Sequence, residues 1–292
     1  MASINTNVAA MTALQTLTAT NKNLSTTQDR IATGLRVGQA ADNAAYWSIA
    51  TTMRSDNKAL SSVQDALGLG AGKLDVAYTG MNSAIEVVDE IKQKLVSAMG
   101  ASDDDKTKIQ TEITELQNQL KSIVNSANYA GSNLLSGDGV VDDELNIVSS
   151  YDRSSDGSVV VSKITLDFSE TAVALGDGDE TNGILDDVFE IDLEGSDDDG
   201  IQEFLDNVET ALSSMADAAS VLGAAKKRVD IQQDFVSKLR DSIDRGVGQL
   251  VDADMSKESS RLAALQVQQQ LGIQALSIAN SNTQNILSLF RG

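Results

Sequence analysis

Histidine, cysteine and proline are all absent from the 292 residues. The first two absences remove the commonest general base, every thiol nucleophile, imidazole and thiolate metal ligands, and any disulfide framework. The third means that no helix is forced to break. Aromatic residues are scarce, with one Trp, four Tyr and five Phe, which leaves little from which to build a stacking platform for a sugar. No segment approaches the roughly 18 uninterrupted apolar residues of a membrane span. The opening stretch from Met1 to Lys22 has neither the basic start nor the apolar run of a cleavable signal peptide. Such a chain is expected to be cytoplasmic or exported by a route that reads no signal of that type.

What the chain does contain is Ala, Ser, Thr, Asn, Gln, Leu and Asp, with 41 % apolar residues. This composition fits long interlocking helices better than a compact enzyme core. The formal charge of −21 is segregated: residues 138–200 hold 19 Asp and Glu against Arg153 and Lys163 alone, a net −17. The remainder is close to neutral. A surface so acidic repels phosphate backbones and anionic lipid, so neither nucleic-acid binding nor membrane insertion is expected.

Apolar positions step alternately by three and four through Ile49, Met53, Leu60, Val63, Leu67, Leu74, Ala77, Met81, Ala84, Val88, Ile91, Leu95 and Ala98. This heptad seam predicts a helix of about 50 residues, roughly 75 Å long at 1.5 Å per residue. An acidic turn at 101–105 starts a second seam through Ile109, Ile113, Leu116, Leu120, Ile123 and Ala127, short enough in its connection to fold back antiparallel. A third follows Leu205, Val208, Leu212, Met215, Ala219, Leu222, Val229, Val236, Ile243, Val247 and Leu250, interrupted by Lys226, Gln233 and Arg240. Between them, Lys163–Phe168 and Phe189–Glu194 alternate with period two and predict strands of a small β-rich domain. Both extremities are amphipathic, but rich in Asn, Gln, Ser and Thr. Seams this thin are expected to order only on assembly.

Three local patterns suggest chemistry and fail on spacing. Gly68–Lys73 resembles a phosphate loop, but Leu67 and Leu74 stand where Gly and Ser or Thr are required, and the segment lies inside a heptad run. Close helix packing at small residues is the better reading. Asp177–Glu180 and Asp197–Gly200 resemble fragments of calcium loops without completing one, and read as solvated turns. No pair of carboxylates is fixed in an apolar pocket, so no catalytic, cofactor-binding or metal-ligating residue is assigned, no cofactor is expected, and the chain is not read as an enzyme.

One signature is specific. Arg30-Ile31-Ala32-Thr33-Gly34-Leu35-Arg36 precedes Ala40-Ala41-Asp42-Asn43-Ala44-Ala45. Physically, Gly34 and Gly38 flank a break, Asp42 or Asn43 can cap the next helix, and the alanines permit close approach. The string resembles the conserved N-terminal block of the bacterial flagellins. Ser3-Ile4-Asn5-Thr6-Asn7 resembles their opening and Asn285-Ile286-Leu287-Ser288-Leu289-Phe290-Arg291 their ending. The likeness covers about 137 residues at the front and 90 at the back. Tyr46-Trp47 departs from the smaller residues frequent in the family and suggests an anchor between layers.

The resemblance implies a mainly α fold: a long antiparallel coiled-coil helical bundle formed by both chain ends, with a small β-rich inserted domain. It implies five segments: 1–40 and 251–292 as the two parts of an inner-tube coiled coil, 41–136 and 201–250 as the two parts of a helical rod, and 137–200 as an acidic variable surface domain. It further implies a secreted structural subunit that polymerises into the extracellular filament for swimming motility. The implied partners are other flagellin copies, the flagellar type III export apparatus, an export chaperone, and the cap and hook-junction proteins. The hook–filament junction protein of the same family is the alternative. Expected subunit-packing residues are Ile4, Val8, Leu14, Leu17, Leu24, Arg30, Ile31, Gly34, Leu35, Arg36, Asp42, Asn43 and Trp47 at the front. At the back they are Leu262, Leu265, Leu276, Ile286, Leu287, Phe290 and Arg291.

Overall fold

The computed structural model describes residues 7–136, 144–154, 156–167, 175 and 183–289, with Glu144, Asp167 and 282–289 described for the backbone alone. In chain order the elements are α1 (Val8–Thr33), α2 (Ala44–Ala98), α3 (Asp103–Ser126), β1 (Asn128–Tyr129), β2 (Ser132–Asn133), β3 (Glu144–Arg153), β4 (Val159–Asp167), α4 (Asp186–Phe189), α5 (Asp198–Val251) and α6 (Met255–Leu289). The fold is mainly α, as expected, with long helices and, among the described residues, two small two-stranded antiparallel sheets. Contacts divide it into two compact units, Lys58–Arg240 and Met1–Asn57 with Asp241–Gly292.

The unit Lys58–Arg240 is built on the three predicted seams. Leu67, Leu74, Met81, Val88, Ile91 and Leu95 of α2 are fully buried, as are Ile113 and Leu120 of α3 and Val208, Met215, Leu222 and Val229 of α5. The polar interruptions of α5 each find α2: Lys226 pairs with Asp75, Gln233 lies beside Gly68, and Arg240 donates to Gln64. Lys92 pairs with Glu209 in the same antiparallel register. Helix α3 runs back along α2, bringing Lys94 to Glu112 and Ala127 to Gly80. It starts at Ser102, whose hydroxyl donates to Asp105 at 2.8 Å, with three aspartates in the positive first turn. It ends where Asn133 donates to the Val124 carbonyl at 2.7 Å, after a two-residue β1–β2 turn at Ala130 and Gly131, both with positive φ.

Strands β3 and β4 form a hairpin with a register shift between Val148 and Ser150. It is seated on the helices. Ile147 fills the notch left by Gly70, and the Ser149 carbonyl accepts from Gln232 at 2.8 Å. Gly72 and Gly80 leave similar notches for Tyr129 and Leu135, so the small residues of the Gly68–Gly72 run do serve close packing. Of Lys163–Phe168, residues 163–167 lie in β4, and Phe168 is outside the described residues.

Two expectations need correction. Phe189–Glu194 is not a strand: Phe189 closes the four-residue α4, and 190–193 run as irregular chain along α3. The alternation survives, with Ile191 and Leu193 buried and Asp192 and Glu194 exposed. The hydrogen bonds, however, go to helix side chains instead of a neighbouring strand. Gln117 donates to the Val188 carbonyl at 2.9 Å, Gln110 to that of Ile191 at 3.2 Å and Lys106 to that of Ser196 at 2.9 Å. In return the Leu193 amide donates to Gln110 at 3.0 Å. A period-two pattern requires one covered side and satisfied backbone, and both are available without a sheet. Secondly, at the start of α2 the seam is one residue out of place: Ala50 is buried, whereas Ile49 is exposed.

Candidate functional site

Three layers of the unit Met1–Asn57 with Asp241–Gly292 concern assembly: a helix pair, the joint at its base, and the surface both leave bare. Helix α1 opens at Asn7, whose side chain accepts from the Ala10 amide at 3.0 Å. Its close relations with α6 run in opposite directions along the chain. Asn7 donates to the Ala279 carbonyl at 3.0 Å, Leu17 rests in the notch of Gly272, Gln269 donates to Asn21 at 2.8 Å, and Arg30 faces Glu258 at 3.4 Å. The pair is antiparallel. The covered positions of α1 are Ala10, Ala13, Leu17, Thr20, Leu24, Thr27 and Ile31, and those of α6 are Glu258, Leu262, Leu265, Gln269, Gly272, Leu276 and Ala279. Both sets step by three and four, which is a coiled-coil seam. It is thin, with alanine, threonine, glycine and glutamine at half of its positions. Glu258 also keeps one carboxylate oxygen buried and without a partner, a cost the long Arg30 contact does not remove.

At the base of the pair the two connections, 34–43 and 252–254, are laced together. Gly34, with φ of 72°, ends α1 in the left-handed conformation glycine tolerates best. Its carbonyl accepts from the Ala253 amide at 2.9 Å, and the Val251 carbonyl accepts from the amides of Arg36 at 2.7 Å and Val37 at 3.2 Å. The Arg36 guanidinium donates to the Leu250 carbonyl at 2.9 Å, placing its charge at the negative C-terminus of α5. Beneath lies a small core of Val37, Ala50, Val247 and Val251, flanked by Leu35, Met53, Ile243 and Leu250. Asp42 accepts from the amides of Gly38 and Gln39, while Asn43 accepts from Tyr46 and caps α2. The signature at 30–43 therefore works within the chain, as the joint between its terminal and inner helices.

The other side of each terminal helix is bare. Val8, Met11 and Leu14 remain 68 %, 63 % and 54 % exposed, and Val267, Leu271 and Ile278 of α6 are also exposed. At 100° per residue each set lies about 150° around its helix from the seam. Helix α6 thus carries apolar residues on more than the one side its partner covers. Tyr46, Trp47 and Ile49 add an exposed apolar cluster at the start of α2.

Set against the expected packing residues, the structure places Leu17, Leu24, Ile31, Leu262, Leu265 and Leu276 in the intrachain seam. Arg30, Gly34, Leu35, Arg36, Asp42 and Asn43 lie at or beside the joint, and Val8, Leu14 and Trp47 on bare surface. Ile4, Phe290 and Arg291 lie outside the described residues, and Ile286 and Leu287 fall where only the backbone is described. Sequence reasoning missed Ala10, Ala13, Thr20, Thr27, Glu258, Gln269 and Gly272 of the seam, and the stripe of Val267, Leu271 and Ile278. Their three-and-four spacing was the available signal, masked by polar and small residue types. Among the described residues no group of acidic side chains is arranged to hold a metal ion, and Asp177–Glu180 lies outside them. No described helix is long and apolar enough to cross a membrane.

Residues 4–139 match the family described as bacterial flagellin N-terminal helical region, and residues 205–290 the one described as bacterial flagellin C-terminal helical region. The chain is 57 % identical over 294 residues to a flagellin of Brucella melitensis biotype 1, and 47 % identical over 322 residues to flagellin C of Rhizobium meliloti strain 1021. Both alignments cover 100 % of each partner. Among solved structures, a chain described as a flagellar hook-associated protein from Vibrio parahaemolyticus superposes with a TM-score of 0.55 over 72 % of this chain and 100 % of that one. At 16 % identity this is a likeness of fold.

Proposed function

The chain belongs to the bacterial flagellin family and is a structural subunit of the flagellar filament, and from that premise we propose that the second apolar stripes of α1 and α6 are its polymerisation surface. The supporting observation is that both terminal helices carry two opposed apolar stripes while the chain covers only one of each. Neighbouring copies cover the other. Residues 1–40 and 251–292 then form the inner tube, 41–136 and 201–250 the surrounding helical layer, and 137–200 the face turned to water. The charge map supports this order, because net −17 on one segment suits an exterior that keeps filaments apart. Polymerisation is coupled ordering and binding, since so thin a seam gains most of its burial from siblings.

The family is one of structural proteins, and no catalytic role is assigned. Its filament is extracellular. The subunit reaches it unfolded through the flagellar type III export apparatus with an export chaperone, and adds beneath a cap protein on a filament begun at the hook junction. The hook–junction alternative is not favoured, because the relative at 57 % identity is a flagellin matched over its whole length. The test is seeded growth of purified subunits followed by circular dichroism. Helix content is expected to rise on assembly, and a chain lacking its last 40 residues is expected to stay soluble, partly helical and unable to elongate. Unchanged helicity, or a truncated chain that still grows filaments, refutes the reading.

A further inference from the structure

A chain without cysteine offers oxidants no thiol, so its softest nucleophiles are the methionine thioethers. Their settings differ sharply. Met81 and Met215 are fully buried in the seams of the unit Lys58–Arg240, and Met53 lies against Gly246 beneath the joint. Met99 and Met255 are 40 % and 44 % exposed, whereas Met11 is 63 % exposed and stands between Val8 and Leu14 in the bare stripe of α1. The most accessible described methionine is thus the one at the centre of a surface whose value is its lack of polarity.

We propose that Met11 is an oxidation site through which peroxides slow polymerisation of the free subunit. The inference rests on the assignment of the α1 stripe as a subunit interface. The sulfur lone pair attacks one oxygen of hydrogen peroxide, the O–O bond breaks, and the departing hydroxide takes the proton from the transferred oxygen and leaves as water. Sulfur is oxidised by two electrons and the peroxide reduced by two, giving the sulfoxide. A flexible apolar side chain becomes polar and strongly hydrated, and burying it against a neighbour carries the cost of stripping that water. The chain has no thiol to reverse the step, so recovery requires an external reductase. Once in the filament, Met11 is covered and resists the same oxidant.

The experiment treats full-length subunits and finished filaments with limiting hydrogen peroxide, maps sulfoxides by peptide mass spectrometry, and measures seeded elongation. In free subunits Met11 is expected to oxidise first and Met81 and Met215 last, with Met11 reacting at least about tenfold more slowly in filaments. Treated subunits should elongate about tenfold more slowly, which is the order of effect expected from losing the burial of one Met. Met11→Leu, which keeps the bulk and apolarity but has no sulfur, should elongate at the same rate after treatment as before it, whatever its untreated rate, and Met11→Gln should elongate slowly without any oxidant. The proposal is overturned if subunits carrying stoichiometric Met11 sulfoxide elongate at the untreated rate, or if treated Met11→Leu slows as much as the parent chain. Equal oxidation of Met11 in subunits and filaments is a separate failure, that of the interface assignment itself.

Discussion

Leu14 and Leu17 stand one turn apart on α1 and should respond to truncation in different ways. Leu14 is 54 % exposed on the bare stripe, whereas Leu17 is half-buried in the notch of Gly272. Fully burying a leucine is worth about 1.5–3 kcal/mol. Roughly half of that remains to be gained at Leu14, so Leu14→Ala should weaken subunit addition by about 1–1.5 kcal/mol, or about tenfold in critical concentration. The free subunit should be unaffected or slightly more helical, because alanine is the better helix former. Leu17→Ala should instead lower the stability of the free subunit by about 1–2 kcal/mol, toward the low end for leucine truncation because the site is only partly buried. Sedimentation after seeded growth gives the critical concentration, and denaturant unfolding of subunits followed by circular dichroism gives the stability of the free subunit. If Leu14→Ala destabilises the subunit as much as Leu17→Ala, or leaves the critical concentration within about twofold of the parent, the division of α1 into an internal and an external stripe is wrong.

Two glycines of α2 should give opposite signs. A Cβ at Gly68 meets only Gln233 at 3.8 Å, so Gly68→Ala should stabilise by about 0.5–1 kcal/mol; at Gly70 it would lie 2.6–2.9 Å from three atoms of Ile147, and overpacking of about 1–3 kcal/mol should outweigh the same gain, with Ile147→Val restoring part of it. Equal denaturation midpoints for the two variants would contradict the packing described for β3. Gln117→Leu leaves the buried Val188 carbonyl without its donor and should cost about 1–3 kcal/mol locally, seen as faster amide exchange across 185–193 with exchange elsewhere unchanged; unchanged exchange there counts against the clamp. Asp105 is held below its ordinary value of 3.8 by the Lys108 hydrogen bond first and that of Ser102 second. A lowered carboxylate pKa makes its contribution present above that ordinary value and lost as the pH falls through the folded one. Carboxyl NMR should place the Asp105 midpoint below 3.8 and find it moved upward in Lys108→Ala, and a midpoint that ignores Lys108 refutes the cause.

Most of the helical frame was legible in the sequence because a heptad of Leu, Ile, Val and Met has one dominant burial solution, and Leu67 to Ala98 follow it residue by residue. The seam of α1 with α6 was legible only in part. Thr20, Thr27 and Gln269 read as solvent-facing on type alone, and only the position of the partner helix makes them interior. The segment after Phe189 failed for a related reason. Its alternation was correctly read as one covered side, but long polar side chains at Lys106, Gln110 and Gln117 can satisfy an extended backbone as a neighbouring strand would, and on a helix such residues look like ordinary surface. The start of α2 misled because Ile49 outranks Ala50 in hydrophobicity, whereas it is Ala50 that lies in the small core with Val37, Val247 and Val251. Residues 30–43 were picked out by likeness, and their physical employment as a laced joint became visible only when 250–253 lay beside them.

That lacing bears on how a rotating propeller withstands torque. The bonds from Gly34, Arg36 and Val37 to residues 250–253 lie side by side across two chain segments, so a pull along either terminal helix loads them in shear, together, and not one after another as in an opening zipper. A load on either terminal helix is thus shared at the joint among several bonds that must yield at once.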